Sequence, residues 1–408
     1  MTVKKLWQED VYTKEWDAVI TEVSTVDNGN LKIYLDQTAF FPEGGGQSCD
    51  LGFMNDMKVI DVQEDGKEVV HTVSPEGAKL PKAGDKVHCT LDWDHRFDNM
   101  QRHCGEHILS GICYDLFGGV NRGFHMGHDA MTIDISLEED PKITELTYDM
   151  VMEAELAANR VIWSNAPVTV MRFETRKGTE NLPLRKALAF DEDISIVCVG
   201  SPENAADCVA CCGTHPATAG QVGLIKIFRV EKNKGMFRIF FEAGERALEA
   251  VRTRHDILYK LSMRYSSTIE DFPVKLKAAE DKQNATKAKL VHVTNALIAK
   301  ESAELDAKAE ESAENVIVHK LEVLSMDDAF NMAKPYMGKT KKLLMLYSIV
   351  DTSFILVSSG KPACGKLVKE YASFYNGKGG GNDVSARAIF TNEEDAMLFA
   401  DLISKHLK

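Results

Sequence analysis

Asn99-Met-Gln-Arg-His-Cys-Gly-Glu-His-Ile-Leu-Ser110 reads as part of a helix, continued by Leu109, Ile112, Leu116 and Phe117 at helical spacing. His103 and His107 stand one helical turn apart, so both imidazoles share a face and can share a metal ion. Far along the chain, Cys208-Val-Ala-Cys-Cys-Gly-Thr-His215 offers a second pair at the same spacing, Cys211 and His215. Three imidazoles and one thiolate make a four-ligand zinc site, one ion per chain. Either pair alone is a weak signal: a helical His pair is usually a polar face, and a lone Cys-x-x-x-His means little. Together they outweigh that bland reading. The sulfur stays open among Cys208, Cys211 and Cys212, because Cys208-x-x-Cys211 also reads as a knuckle. Cys211 is preferred, since Gly213 allows a tight turn back to His215.

Upstream, residues 1–92 carry alternating apolar and polar runs at Val19–Val26, Asn30–Asp36, Lys58–Glu64, Val69–Val73 and Lys86–Asp92. Asp27-Asn-Gly-Asn30 and Asp65-Gly66 supply hairpin turns. Short strands with such turns predict a small β-barrel. Inside it, Ala39-Phe-Phe-Pro-Glu-Gly-Gly-Gly-Gln-Ser-Cys-Asp-Leu-Gly52 is anomalous. Its glycine run is read as a ligand-facing turn rather than packing, with Glu43, Gly45, Gln47 and Asp50 toward a substrate.

Downstream, Phe124–Ile135 gives a strand on which Met131, Ile133 and Ile135 point one way and Thr132 and Asp134 the other. A helix follows over 143–166, then strands at Val168–Phe173 and Asp193–Gly200, with a polar loop over 180–186. After the Cys/His cluster, Ile225–Glu231 and Met236–Glu242 read as a hairpin. The metal ligands thus sit on a helix and a loop of a mixed α+β domain, residues 93–242. Residues 243–314 read as continuous helix, a linker or arm whose apolar positions Leu276, Ala279, Leu290, Val293 and Leu297 only weakly support a coiled coil. Residues 315–408 read as an α/β domain. Its loop Asn376-Gly-Lys-Gly-Gly-Gly-Asn-Asp-Val-Ser-Ala-Arg387 holds Lys378, Gly379, Gly380, Gly381 and Arg387, with Lys366 nearby, a local basic patch suited to phosphate. A plain surface loop is its rival.

The chain has 408 residues, nine cysteines and a formal net charge of −14. That length allows a well-buried core in several domains. The polar start and the lack of any apolar run of spanning length predict a cytoplasmic protein without a membrane partner, its thiols free or on metal. Overall acidity argues against a wholly nucleic-acid-coating surface, though not against a local basic patch.

Taken in order, these motifs resemble the free-standing alanyl-tRNA editing proteins, long form, relatives of the alanyl-tRNA synthetase editing domain. Phe41-Pro-Glu-Gly-Gly-Gly-Gln-Ser-Cys-Asp50 is similar to that family's glycine-rich barrel motif. His103-Cys-Gly-Glu-His107 and Cys211-Cys-Gly-Thr-His215 are similar to its metal-site elements, and Phe237–Ala247 to the junction that follows. Asn376–Gly381 resembles the glycine-rich segment of the C-terminal domain shared with DHH-type phosphoesterases. The resemblance implies hydrolysis of the ester joining serine, or glycine, to alanine tRNA. It also implies zinc on His103, His107, Cys211 and His215, and Gln47 in the pocket. The C-terminal domain would grip tRNA through Lys366, Lys378, Gly379, Gly380, Gly381 and Arg387, and would dimerise the chain with the helical arm. Thr132 and Gln47 are expected to bind the serine hydroxyl, so that alanine leaves them unpaired, and Asp134, on the strand face of Thr132, is expected to face the substrate with them. Cys212 stands where a small residue is expected. Two rivals follow from the same residues. Glu106 completes His-x-x-Glu-His, a metallopeptidase spelling. A closed zinc site could instead hold together a non-catalytic RNA-binding module.

Overall fold

A computed structural model describes residues 3–26, 29–138, 143–201 and 203–408. They form an α+β protein with two compact units, Met1–Tyr259 and Lys260–Lys408. Asp27 and Asn28 of the expected hairpin turn lie outside the described residues.

The first unit begins with β1 (Lys4–Lys5), β2 (Glu15–Thr25), β3 (Leu31–Leu35), β4 (Gln37–Thr38), β5 (Gly52–Met54), β6 (Met57–Asp65), β7 (Glu68–Ser74) and β8 (Lys86–Leu91). Strands β2-β3-β7-β6-β5-β8 close into a barrel, and β1 pairs with β4 in parallel. Closure follows from alternation: Trp16, Ala18 and Ile20 on β2 and Leu31, Ile33 and Leu35 on β3 fill one core, while their neighbours face outward. Buried polar groups sit there too, His71 among them. His71 donates from Nδ1 to the Ile33 carbonyl (3.0 Å) and accepts the Thr38 hydroxyl at Nε2 (2.9 Å), and burial lowers its pKa to about 4.

Next come α1 (Trp93–Phe117), β9 (Val120–Met126), β10 (Met131–Ser136), α2 (Tyr148–Trp163), β11 (Val168–Thr175), β12 (Glu192–Ser201), β13 (Asn204–Ala210), β14 (Ile225–Asn233), β15 (Met236–Ala243) and α3 (Gly244–Arg264). Asp92 caps α1 by accepting the His95 N–H, and Gly118 ends it at φ 62°. The strands of this mixed α+β part form two sheets, β14-β15-β10-β9 and β11-β12-β13. Helix α1 lies in the core between them: Cys104, Ile108 and Leu109 pack with Met131, Ile133 and Ile239. Glycines permit that closeness. A Cβ at Gly105 would meet the Ala243 Cβ at 2.6 Å, and one at Gly111 would meet the Ala206 carbonyl oxygen at 1.9 Å. Arg96, fully buried, fastens the helix to the barrel by donating from Nε to Asp50 (2.9 Å) and from Nη2 to the Ala39 carbonyl (2.6 Å). Asp50 is therefore a structural partner rather than a substrate-facing group.

The second unit contains α4 (Phe272–Glu311), β16 (Val316–Leu321), α5 (Met326–Ala333), β17 (Leu343–Ser348), β18 (Ser353–Val357), α6 (Cys364–Tyr371), β19 (Lys378–Gly381), β20 (Ser385–Ile389) and α7 (Glu393–His406). Its sheet runs β16-β17-β18-β20-β19. The continuous helix expected over 243–314 breaks between Arg264 and Phe272: Ser266 adopts φ 51°, and Pro273 is tolerated only in the first turn of a new helix. The expected glycine-rich loop is an edge strand, β19, paired with β20 from Lys378↔Ile389 to Gly381↔Ala386. Its glycines serve approach. A Cβ at Gly379 or Gly381 would fall 1.9 or 2.2 Å from a carbonyl oxygen near β20, and one at Gly365 on α6 would fall 2.4 Å from that of Gly381. Among the described residues no helix is long and apolar enough to cross a membrane.

Candidate metal centre

Four side chains from two distant stretches converge. His103 and His107 project from α1 with ring centroids 5.1 Å apart. Beyond β13 the chain turns inward, anchored where the Cys211 N–H donates to the Ser195 carbonyl (2.9 Å). His215 then lies 4.6 and 4.8 Å, ring to ring, from His103 and His107. The donor atoms of His103, His107, Cys211 and His215 all lie within 4.8 Å of one another. Cys211 Sγ is 3.4 Å from Nε2 of both His103 and His215. A zinc tetrahedron of nitrogen and sulfur ligands has corners roughly 3.3–3.8 Å apart, so these contacts suit an ion. His107 Nε2 is buried with no hydrogen-bond partner among the described residues, which a metal would satisfy.

The two helical imidazoles are aimed from behind. Gln47 accepts the Thr214 backbone N–H at Oε1 (3.0 Å) and donates from Nε2 to Thr214 Oγ1 (2.8 Å). Its oxygen thus faces His103 and accepts the Nδ1–H at 2.9 Å. The Gly44–Gln47 turn delivers it, with Gly45 and Gly46 at φ 61° and 83°. These glycines do pack closely, contrary to expectation: a Cβ at Gly46 would meet Phe124 at 2.7 Å. His107 donates from Nδ1 to Asp207 (2.8 Å), a buried carboxylate that also accepts Arg185 Nε (2.6 Å). A proton held at Nδ1 leaves each Nε2 lone pair for a metal. Gly213 is required by contact as well as by turning: a Cβ there would sit 2.3 Å from the His103 ring.

Charge prepares the same atoms. Burial opposes a thiolate at Cys211, but His103, His215 and His107 hold its pKa well below that of an ordinary thiol. Burial also opposes a charged His107, yet Cys211, then Asp207 and Glu106, keep its pKa well above the ordinary value, so a metal binding at Nε2 would displace a proton there. At His215 burial wins and takes the pKa to about 4. A preformed thiolate beside a neutral imidazole is a metal-ready pair.

The sulfur ambiguity resolves by position. Cys208 is joined to Cys198 across β12 and β13, which departs from the expectation of thiols free or on metal and removes it from the cluster. Cys212 is exposed and turns to Gly45, whose Cβ would approach its sulfur to 3.0 Å. Cys211 alone of the three joins the histidines.

Beside the cluster opens a cavity of about 580 Å³, whose lining includes His103, His107 and Cys211 together with Glu106, Lys186 and Phe190. Glu106 accepts Ser110 Oγ (2.5 Å) and Asn121 Nδ2 (2.7 Å), both on Oε1. Gly45 lines it too, whereas other expected substrate residues do not. Met131 and Ile133 pack with α1, so alternation turns Thr132 and Asp134 to the opposite face of the sheet. There Asp134 accepts Arg238 Nε at 2.7 Å, and that bond holds its pKa below the usual value. Glu43 is exposed and accepts Gln63 Nε2 (3.0 Å). In the second unit, Lys366 pairs with Glu370 (3.8 Å), Arg387 with Asp327 (3.4 Å), and Lys378 to Gly381 are exposed on β19. Sequence reading missed Asp207, Arg185, Lys186 and Phe190. The only signal was an Arg-Lys pair in the loop between two strong strands.

Residues 9–95 match the family of class II (A) tRNA synthetases, and residues 194–240 match the second additional domain of threonyl and alanyl tRNA synthetases. The chain is 30% identical over 400 residues to the alanyl-tRNA editing protein AlaX-L of Pyrococcus horikoshii, covering 94% of each. It is 30% identical over 388 residues to the alanine--tRNA ligase of Pyrococcus abyssi, spanning 93% of this chain and 41% of the ligase. With the alanyl-tRNA editing protein Aarsd1 of Mus musculus it shares 29% identity over 298 residues, 69% of this chain and 68% of that one.

Proposed function

The chain belongs to the alanyl-tRNA editing proteins, and from that premise we propose that it is a zinc-dependent, trans-acting deacylase that removes serine, and glycine, from mischarged alanine tRNA. The observation that carries the reading is the convergence of His103, His107, Cys211 and His215 at one side of a cavity. The peptidase alternative gives Cys211 and His215 no role, yet they stand within ligand distance of the His pair.

An aminoacyl ester is already activated, so the site has to orient a water and stabilise an oxyanion. Bound zinc would supply Lewis-acid polarisation there. Gln47 and Asp207 hold the Nδ1 protons and so keep two imidazoles in one tautomer and direction. Glu106 lines the cavity with Oε2 free of protein donors among the described residues, and we assign it the proton taken from water. Gln47 is committed to His103 and Thr214, so serine recognition does not fall to it or to Thr132. We assign the C-terminal residues around Lys366 and Lys378 to the tRNA body. Self-association falls to the apolar stripe of α4, where Leu290 and Val293 are exposed.

The test is deacylation of serine-charged against alanine-charged alanine tRNA, by wild type and Cys211→Ala. Loss of serine alone, abolished by the substitution, supports the reading. If neither amino acid is released by zinc-loaded wild type, the deacylase proposal fails, and unfolding on chelation would then favour a structural zinc module.

A further inference from the structure

The cavity is larger than its acyl group requires. A volume of about 580 Å³ is within the range that buries small organic ligands, while a seryl group has only a few heavy atoms. The ester's alcohol half is the ribose of the last nucleotide, and with the acyl group beside the cluster that nucleotide must lie toward the cavity's outer wall.

Two side chains of the loop between β11 and β12 line the same cavity. Phe190 lines the cavity and is 73% exposed. A solitary exposed aromatic ring means nothing by itself. The backbone that carries this one is tethered: Arg176 donates from Nε to the Phe190 carbonyl (3.1 Å) and from Nη2 to that of Leu188 (2.9 Å), and pairs with Asp191 at 2.7 Å. The Arg185 N–H ties the same loop to the Cys208 carbonyl on β13 (2.9 Å). Lys186 lines the cavity too, with no hydrogen bond or ion pair among the described residues. Burial and the adjacent Arg185 disfavour its charge, Glu106 and Asp207 favour it without bonding to it, and a directly bound anion would stabilise it further. An aromatic face on a tethered loop and an unpaired cation lining the same cavity are the combination by which proteins bind a nucleotide without reading its edges.

We propose that the outer wall of the metal cavity is a nucleotide subsite: the Phe190 ring stacks on the base of the 3′-terminal nucleotide, and the Lys186 ammonium pairs with the phosphate joining it to the rest of the RNA. The subsite rests on the deacylase reading for its ester, but its test has an independent readout. Zinc-loaded full-length protein is titrated into alanine tRNA carrying 2-aminopurine in place of the terminal adenine. Wild type quenches the fluorophore by stacking. Phe190→Ala loses the quench and raises KM for serine-charged tRNA roughly tenfold, the usual effect of removing one base-stacking ring, with kcat unchanged and zinc content intact. Phe190→Trp restores both. Lys186→Gln raises KM and flattens its salt dependence by about one phosphate contact. A quench retained by Phe190→Ala, or a fall in kcat at constant KM, overturns the subsite and makes Phe190 a lid over the acyl group. A Phe190-dependent quench in a protein that deacylates no tRNA sustains the subsite and refutes the deacylase reading instead.

Discussion

Replacing Asp207 tests whether the metal centre is organised from behind its ligands. Asp207 is fully buried as a side chain and accepts hydrogen bonds from His107 Nδ1 (2.8 Å) and from Arg185 Nε and Nη2 (2.6 and 3.2 Å). Asp207→Asn keeps the shape but removes the charge that makes His107 a better ligand. It also offers an amide N–H where an acceptor is needed. Outer partners of this kind are worth about 10–100-fold in metal affinity or activity, or about 1.4–2.7 kcal/mol. Asp207→Ala goes further, because it leaves the Arg185 guanidinium, 5% exposed, without its counter-charge. Removing one partner of a buried pair costs about 3–5 kcal/mol. Zinc competition against a chromogenic chelator should therefore show a dissociation constant raised at least about tenfold for Asp207→Asn. Urea unfolding of the metal-free proteins should show the larger loss for Asp207→Ala. Equal zinc affinity in Asp207→Asn and wild type would refute the argument that this carboxylate aims His107.

Three other outcomes follow from single contacts. Gly213→Ala places a methyl 2.3 Å from the His103 ring and 2.9 Å from Gln47 Oε1, so the purified variant should fold yet carry well under one zinc per chain by atomic emission; full zinc content would contradict the packing. His71 is held neutral in the barrel at a pKa of about 4, below its unfolded value of about 6.5. Its contribution is thus complete above pH 6.5 and is lost as pH falls toward 4, amounting to about 3 kcal/mol; His71→Phe should flatten urea-unfolding stability across that window, and an unchanged pH profile would count against the burial argument. Leu290→Glu with Val293→Glu charges exposed positions of α4, and sedimentation should show the self-associated protein dissociating; a wild-type monomer would remove the assigned interface.

What could be read in advance was what repeats along the chain. The alternation over Val19–Val26 and Asn30–Asp36 announces strands with one buried face, and a spacing of four announces that His103 and His107 share a side of α1. What could not be read depends on approach between distant segments. The Gly44–Gly46 and Gly379–Gly381 runs look alike as letters and invite the same ligand-binding explanation. In the fold, each permits contact at a different place, against Phe124 and Cys212 in one case and against β20 and α6 in the other. Thr132 illustrates the opposite failure. Its alternation was legible, but not which face would meet α1, and that choice is set by Met131 and Ile133 packing with Ile108 and Leu109. Asp207 and Arg185 had no periodicity to reveal them, because each matters only through the other and through His107. A metal site thus discloses its ligands locally, by chemistry and spacing. The groups that orient those candidate ligands, and the cavity walls proposed to receive the rest of a substrate, are set by long-range packing and emerge only when α1, β13 and the loop after β11 are assembled.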